Sequence, residues 1–317
     1  MSNILLLAQQ IAQSSTTTAA RGAPPGPPPG FSFVEMIRQL LQFVGFFLSI
    51  GAVGFRYGIV RRIRGMSKEA RTILEADNAA RFGLWGIIFL LLSFLGVPYL
   101  QAASTNHTLT ELLPKNLAPL KFKLGALGVS LVGFLVVRAK KPTIGWILAA
   151  VGILIATLQP LYTGKLAGKI NAVHILAAST WLGTLLVLSA IGIRGVIRNG
   201  EPGTPRARLV ADLVNSFSPL ALTAATVVAL TGATTAWLHL KRISSLWTTN
   251  YGITLIVKLV LVLIVVLLGA WNWKKVRPSL GKDGSEQTIK RSSTMELSFA
   301  ALVLIVTSVL VTLPSPK

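Results

Sequence analysis

The chain is predicted to be an all-α integral membrane protein with eight transmembrane helices and both termini on the outer, periplasmic side. Apolar residues make up 52% of its 317 residues and charged residues only 13%. Eight windows of about 19 apolar residues stand out, the length a helix needs to cross a bilayer. Lysine and arginine gather in every second connection between those windows.

The spans are placed near 36–57, 82–101, 119–137, 143–161, 171–193, 219–238, 253–272 and 296–313. Ahead of them, residues 1–30 hold a short apolar patch (Ile4 to Leu7), a Ser/Thr run and a Pro/Gly tract. A cleaved leader usually has a charged start and a longer apolar core. The segment is therefore read as an extended, polyproline-like outer tail, with cleavage as the alternative. Residues 31–162 carry the first four spans and include a basic inner loop at 57–81. Within that loop SKEARTILEADNAARF, with Ser67 as a candidate cap and apolar Ile73 and Leu74, reads as a short amphipathic helix on the membrane surface. The outer loop from Ser104 to Leu117 reads as an interfacial turn. Span three has Lys121 and Lys123 at its start, so it must begin late or let both lysines snorkel to the headgroups, and its Gly125, Gly128 and Gly133 suggest close helix contact. Residues 163–317 carry the last four spans.

The formal net charge of +21 could suggest a nucleic-acid partner, but its distribution points elsewhere. Arg56, Arg61, Arg62, Arg64, Lys68, Arg71 and Arg81 follow span one, and Arg138, Lys140 and Lys141 follow span three. Arg194, Arg198, Arg206 and Arg208 follow span five, and Lys274, Lys275, Arg277, Lys282, Lys290 and Arg291 follow span seven. Positive loops stay inside, so these connections are cytoplasmic and an even number of spans returns both ends outward. Attraction to an anionic inner leaflet accounts for the basic excess without nucleic acid. The absence of cysteine excludes disulfides, thiolate metal sites and iron–sulfur ligation. No Walker loop, dinucleotide fingerprint, HExxH or serine triad occurs. The chain is therefore read as neither an ATP-driven pump nor an enzyme.

The later blocks carry a family likeness. VHILAASTWLGTLLVL (Val173 to Leu188), FSPLALTAATVVALTGATTAWLHL (Phe217 to Leu240), LWTTNYGITLIVKLVLV (Leu246 to Val262), WNWKKVRP (Trp271 to Pro278) and MELSFAALVLIVTSVLVTLPSP (Met295 to Pro316) together resemble the copper resistance protein D family. GAVGFRYG (Gly51 to Gly58) and the span count extend the likeness to the first half. The resemblance implies an eight-helix protein of the bacterial inner membrane associated with copper uptake or tolerance, with 163–317 as its characteristic four-helix domain. Members often carry a glycine–histidine pair before span five. Here the chain reads YTGKLAGK, with Lys165 at the histidine's place.

Copper(I) favours thiolate, thioether and imidazole ligands. The chain has four methionines and three histidines, and they form no cluster in sequence. His107 falls in the second outer loop. His174, about 5 Å inside span five by helical rise, and His239, at the outer end of span six, are the candidate metal ligands. Lys258 lies about 8 Å down span seven by the same measure. With Trp181, Trp237 and Tyr251 it would complete a shallow outer-face pocket between spans five, six and seven, with Tyr162 and Asn171 at similar depth.

Each residue also has a plainer role. His174 could be an interhelical hydrogen-bonding group, and the aromatic residues could be interface anchors. Lys258 could snorkel or pair with Glu35 at the start of span one; if protonated it would repel a metal cation. Glu296 is expected to cap the start of span eight, where the helix dipole favours an acid. Thr223, Thr226 and Thr234 could line a pathway as a polar stripe, but are read first as packing groups between helices.

Copper handling through an outer-face site is the leading functional reading. The alternative is a ligand-poor scaffold subunit of a larger respiratory or photosynthetic complex, held through its N-terminal tail. Haem ranks last, because it needs two facing histidines at one depth.

Overall fold

The computed structural model describes residues 31–63, 74, 77–104, 108–199, 204–240, 242–276, 278 and 285–315. The chain divides into two units, Met1–Ser32 and Phe33–Lys317. The tail at 1–30, most of the proposed surface helix after span one, and His107 lie outside the described residues. Within the larger unit, the described residues hold eight helices long and apolar enough to cross a membrane. We label them α1 (Phe33–Arg62), α2 (Asn78–Ala102), α3 (Leu120–Arg138), α4 (Pro142–Thr163), α5 (Leu166–Asn199), α6 (Pro205–Leu240), α7 (Asn250–Lys275) and α8 (Gln287–Thr312). No strand occurs among the described residues.

The observed spans run several residues beyond most of the apolar windows. A hydropathy window stops where side chains turn polar, whereas a helix continues while its backbone bonds can be made. The helix containing α8 begins at Ser285, well before the expected start at 296. The region expected to form an interfacial turn is also largely helical: the helix that becomes α3 starts at Leu109, with Glu111 in its first turn. Asn116 Nδ2 ties this extension to Gln101 Oε1 at 2.7 Å. Lys123 does not simply reach outward; its Nζ lies 5.1 Å from the Phe94 ring centroid, a cation–π contact that shelters the charge against α2.

Burial separates a hub from a rim. In α1 and α5, 61% of the apolar window is buried inside the protein, against 17% in α6 and 11% in α7. The hub forms where small residues let two backbones meet. A Cβ on Gly51 would lie 2.3 Å from the Gly183 carbonyl oxygen, and one on Gly183 would lie 2.2 Å from that of Phe47. Packing of this kind substitutes for the hydrophobic drive that lipid cannot supply.

A similar device joins α3 to α4. Gly133 faces the Ala149 backbone, and Ser130 Oγ donates to the Ala149 carbonyl at 2.9 Å. Gly125 and Gly128 face no atom within 4 Å, so only one of the three glycines proposed for close contact makes one. Leu74, within the expected surface helix, is buried at 2% exposure in the main core with Phe55, Ile59 and Val60, and the end of that segment from Asp77 already belongs to the helix of α2. Leu74 is packed into the bundle rather than laid on lipid.

Among the described residues, four turns depart from α geometry into π-helix: Phe55–Ile59 in α1, Ser179–Gly183 and Leu188–Ile193 in α5, and Asn272–Val276 at the end of α7. Such bulges re-aim side chains and often mark functional places. Pro219 lies inside the helix of α6. Thr223 Oγ1 donates to its carbonyl at 2.9 Å, and Thr226 and Thr234 likewise bond the carbonyls of Leu222 and Leu230 in their own helix. These three threonines are exposed and satisfied within their own helix, so they do not stitch helices together as expected.

Candidate functional site

At the end of the bundle opposite the basic connections, α5 and α6 hold His174. Its Nδ1 lies 2.9 Å from Thr231 Oγ1, and that hydroxyl lies 2.6 Å from the Val227 carbonyl oxygen. A hydroxyl has one proton, and a carbonyl can only accept. Thr231 therefore donates to Val227 and accepts from His174 Nδ1–H, which leaves Nε2 with a bare lone pair. Gly232 makes room for the ring, since a Cβ there would stand 3.2 Å from His174 Cε1. Lys258 of α7 is close enough for its charge to be felt at the imidazole, and makes no ion pair among the described residues.

His239 is held differently. Its Nδ1 donates to the Thr235 carbonyl at 2.8 Å, and its ring stacks on Tyr251 with centroids 6.3 Å apart and planes at 15°. Tyr251 is buried with Leu255 of α7 and Leu310 of α8. This pins the end of α6 to the start of α7. His239 is eight residues beyond Thr231 on one helix, about 12 Å along its axis. The two histidines thus occupy separate levels and do not form one metal site, because each ring is already committed to a neighbour at its own level.

The rest of the expected pocket disperses. Trp237 is 77% exposed and faces the lipid side, as an anchor would. Trp181 packs on both the main core and the smaller cluster around Phe47, Leu182 and Val265, and turns into a different cavity. Glu35 pairs with Arg38, three residues along α1, with Nη2 at 2.5 Å from Oε1 and Nε at 2.8 Å from Oε2, and accepts from Gln39 at 2.9 Å. Its ion pair is with Arg38 and not with Lys258. Arg38 also reaches Ser93 of α2 at 3.3 Å, so this acid braces the α1–α2 contact.

Glu296 is not a cap. It lies in the interior of its helix and is buried, and Asn272 Nδ2 donates to its Oε1. Ser292 Oγ in turn donates to Asn272 Oδ1. The π turn beginning at Asn272 aims the amide across from α7 to α8. Asn272 and Glu296 stand at the wall of a cavity of about 680 Å³ in the half of the bundle nearer the basic connections, with Trp181, Asn215, Ser218 and Trp273 among its other lining residues. Sequence reasoning took Glu296 for a dipole cap and passed over Asn272. A lone amide inside an apolar helix, in register with an acid on the next, was the available signal.

Fold and cavity define a multi-pass helical membrane protein whose described histidines and buried Glu296 sit in the last four spans. Residues 211–310 match the family model for copper resistance protein D, a stretch that contains Thr231, His239, Tyr251, Lys258, Asn272 and Glu296. The chain is similar to the copper transport protein CutJ of Bacillus subtilis (strain 168), 31% identical over 143 residues, which is 45% of this chain and 24% of that protein. The chain thus spans about a quarter of the length of this curated relative. No solved structure matches.

Proposed function

We propose that the chain handles copper at the bacterial inner membrane, with both termini outside and the basic loops set against the anionic cytoplasmic leaflet. In this reading the ion is met at His174, between α5, α6 and α7, and moved without nucleotide hydrolysis. The supporting observation is the contact of His174 Nδ1 with the Thr231 hydroxyl: with its own proton given to the Val227 carbonyl, the hydroxyl accepts from Nδ1–H, the arrangement in which Nε2 is a ready donor atom. Metal-binding imidazoles are oriented in this way by their second nitrogen. His239, fixed through Nδ1 in the same sense, would be a second station nearer the surface. A single imidazole at each level gives weak and reversible binding, which suits an ion in transit better than one in storage. Lys258 opposes the cation and limits how long it stays. The test is cellular copper content on expression of wild type, His174→Gln and His239→Gln at matched protein levels. Loss of the copper increment in the His174 variant supports this reading, and an unchanged increment in both variants removes it.

One observation favours the scaffold reading instead: among the described residues no group of three or more His, Cys, Asp or Glu could hold a metal ion. Copper analysis of gently purified protein, with identification of co-purifying polypeptides, separates the two. Metal-free protein travelling with a large assembly would favour the scaffold.

A further inference from the structure

The cavity beside Glu296 has a shape and a charge that the copper reading does not use. Glu296 is 7% exposed. One carboxylate oxygen takes the Asn272 amide, and the other receives no hydrogen bond among the described residues. Among the described residues the walls contain no lysine, arginine or histidine; apart from Asn215, Ser218, Asn272, Ser293 and Glu296 they are apolar or aromatic. A carboxylate at this depth in a membrane is costly unless something neutralises it, and no described side chain in the wall carries the positive charge to do so. The space itself is about 680 Å³, within the range of small-molecule sites.

The cavity also has an entrance. α6 and α7 meet at the His239–Tyr251 stack, yet elsewhere α7 packs on α8 and hardly touches α6. Leu222 and Ala225 of α6 face Val266, Gly269 and Ala270 of α7 across the space between them. Leu222 and Trp273 are 73% and 63% exposed, so the slot opens sideways to lipid.

We propose that this cavity binds an organic ammonium ion carrying an apolar body, which enters from the bilayer between α6 and α7 and places its N–H donors on the unpaired oxygen of Glu296. The donor set argues for this class over a soft metal. It offers a carboxylate, amides and hydroxyls with no thioether or imidazole, against the preference of copper(I), while the apolar walls fit a hydrocarbon chain. The ammonium can come from a lipophilic amine or from the headgroup of a phosphatidylethanolamine. The inference rests on the cavity alone and stands or falls apart from the role of His174.

The chain contains no cysteine, so a single thiol can report occupancy. In the full-length Ser218→Cys variant in phosphatidylcholine nanodiscs, decylamine should slow N-ethylmaleimide labelling about tenfold more than decanol does. Adding Glu296→Gln, which keeps an acceptor for Asn272, should abolish that difference. Discs containing phosphatidylethanolamine should protect without added amine if a lipid headgroup is the occupant, and should need decylamine if the source is a free amine. Equal protection by decylamine and decanol, a difference that survives Glu296→Gln, or protection by copper(I) with none by decylamine would each overturn the proposal. Should the thiol not label, the melting temperature of the cysteine-free protein decides. A rise with decylamine over decanol that Glu296→Gln removes supports the site, and no such rise refutes it.

Discussion

Replacing Gly133 with alanine should destabilise the protein by about 2 kcal/mol, although alanine is the better helix former. A Cβ at 133 would stand 2.2 Å from the Ala149 nitrogen, 2.7 Å from its Cα and 2.8 Å from the Gly145 carbonyl oxygen. All three are backbone atoms, so no side chain can swing aside. Ordinary carbon contacts need about 3.5–4 Å, so α3 and α4 must separate by more than about 1 Å at this point. Overpacking of this kind costs about 1–3 kcal/mol. The same separation stretches the bond from Ser130 Oγ to the Ala149 carbonyl, and interhelical bonds in membranes contribute roughly 0.6–2 kcal/mol. Against these stands a gain of about 0.5–1 kcal/mol from removing a helix glycine. Gly125→Ala and Gly128→Ala are the internal controls: neither site has an atom within 4 Å, so each should be neutral or stabilising by up to about 1 kcal/mol. Equilibrium unfolding in mixed micelles of dodecyl maltoside and dodecyl sulfate measures all three. If Gly133→Ala unfolds at the same detergent fraction as Gly128→Ala, the inferred α3–α4 contact is wrong.

Reporter fusions after Gly203 and Gly284 should read as cytoplasmic and one after Thr108 as external, and the reverse pattern would sink the proposed orientation. Thr231→Val removes the hydroxyl that accepts from His174 Nδ1; it should lower stability by roughly 0.6–2 kcal/mol and cut copper accumulation, whereas His174→Gln should abolish accumulation at nearly wild-type stability. Copper content and detergent melting of both variants check this pair, and a copper increment equal to wild type in both would refute it. Trp146, 1% exposed and edge-on to Phe134 at 5.7 Å, should cost about 3–5 kcal/mol on truncation to alanine. Exposed Trp237 should cost less than about 0.5 kcal/mol, and similar unfolding midpoints for the two variants would contradict the assigned burial.

The eight spans were legible because each announces itself locally, as a long apolar stretch between polar connections. Where a side chain points was legible only in part. Gly125, Gly128 and Gly133 look alike in sequence, but which of them meets a backbone depends on how α3 is rotated against α4. His174 and His239 both sit toward one end of their helices. Their separation emerges only once Thr231 is known to face His174, which fixes how far α5 and α6 are slid along each other. Glu296 misled for another reason. Hydropathy placed the start of α8 at the edge of the apolar window, and the helix begins eleven residues earlier, which turns an apparent cap into a buried acid. The π turn that brings Asn272 to it has no sequence signature that a periodicity argument detects.

The meeting of Gly51 with Gly183 also sets a timetable for biosynthesis. Span α1 leaves the ribosome early with a glycine face whose partner is still untranslated. Gly183 follows about 130 residues later, roughly 7–25 s at ordinary synthesis rates. Throughout that interval α1 can rest on α2, through Ser49 Oγ and the Gly83 carbonyl at 3.3 Å, while its other side remains open to lipid or to an insertase. The bundle therefore closes late and from its middle, and agents that detain nascent α1 should impair maturation more than those acting on α7 at the rim.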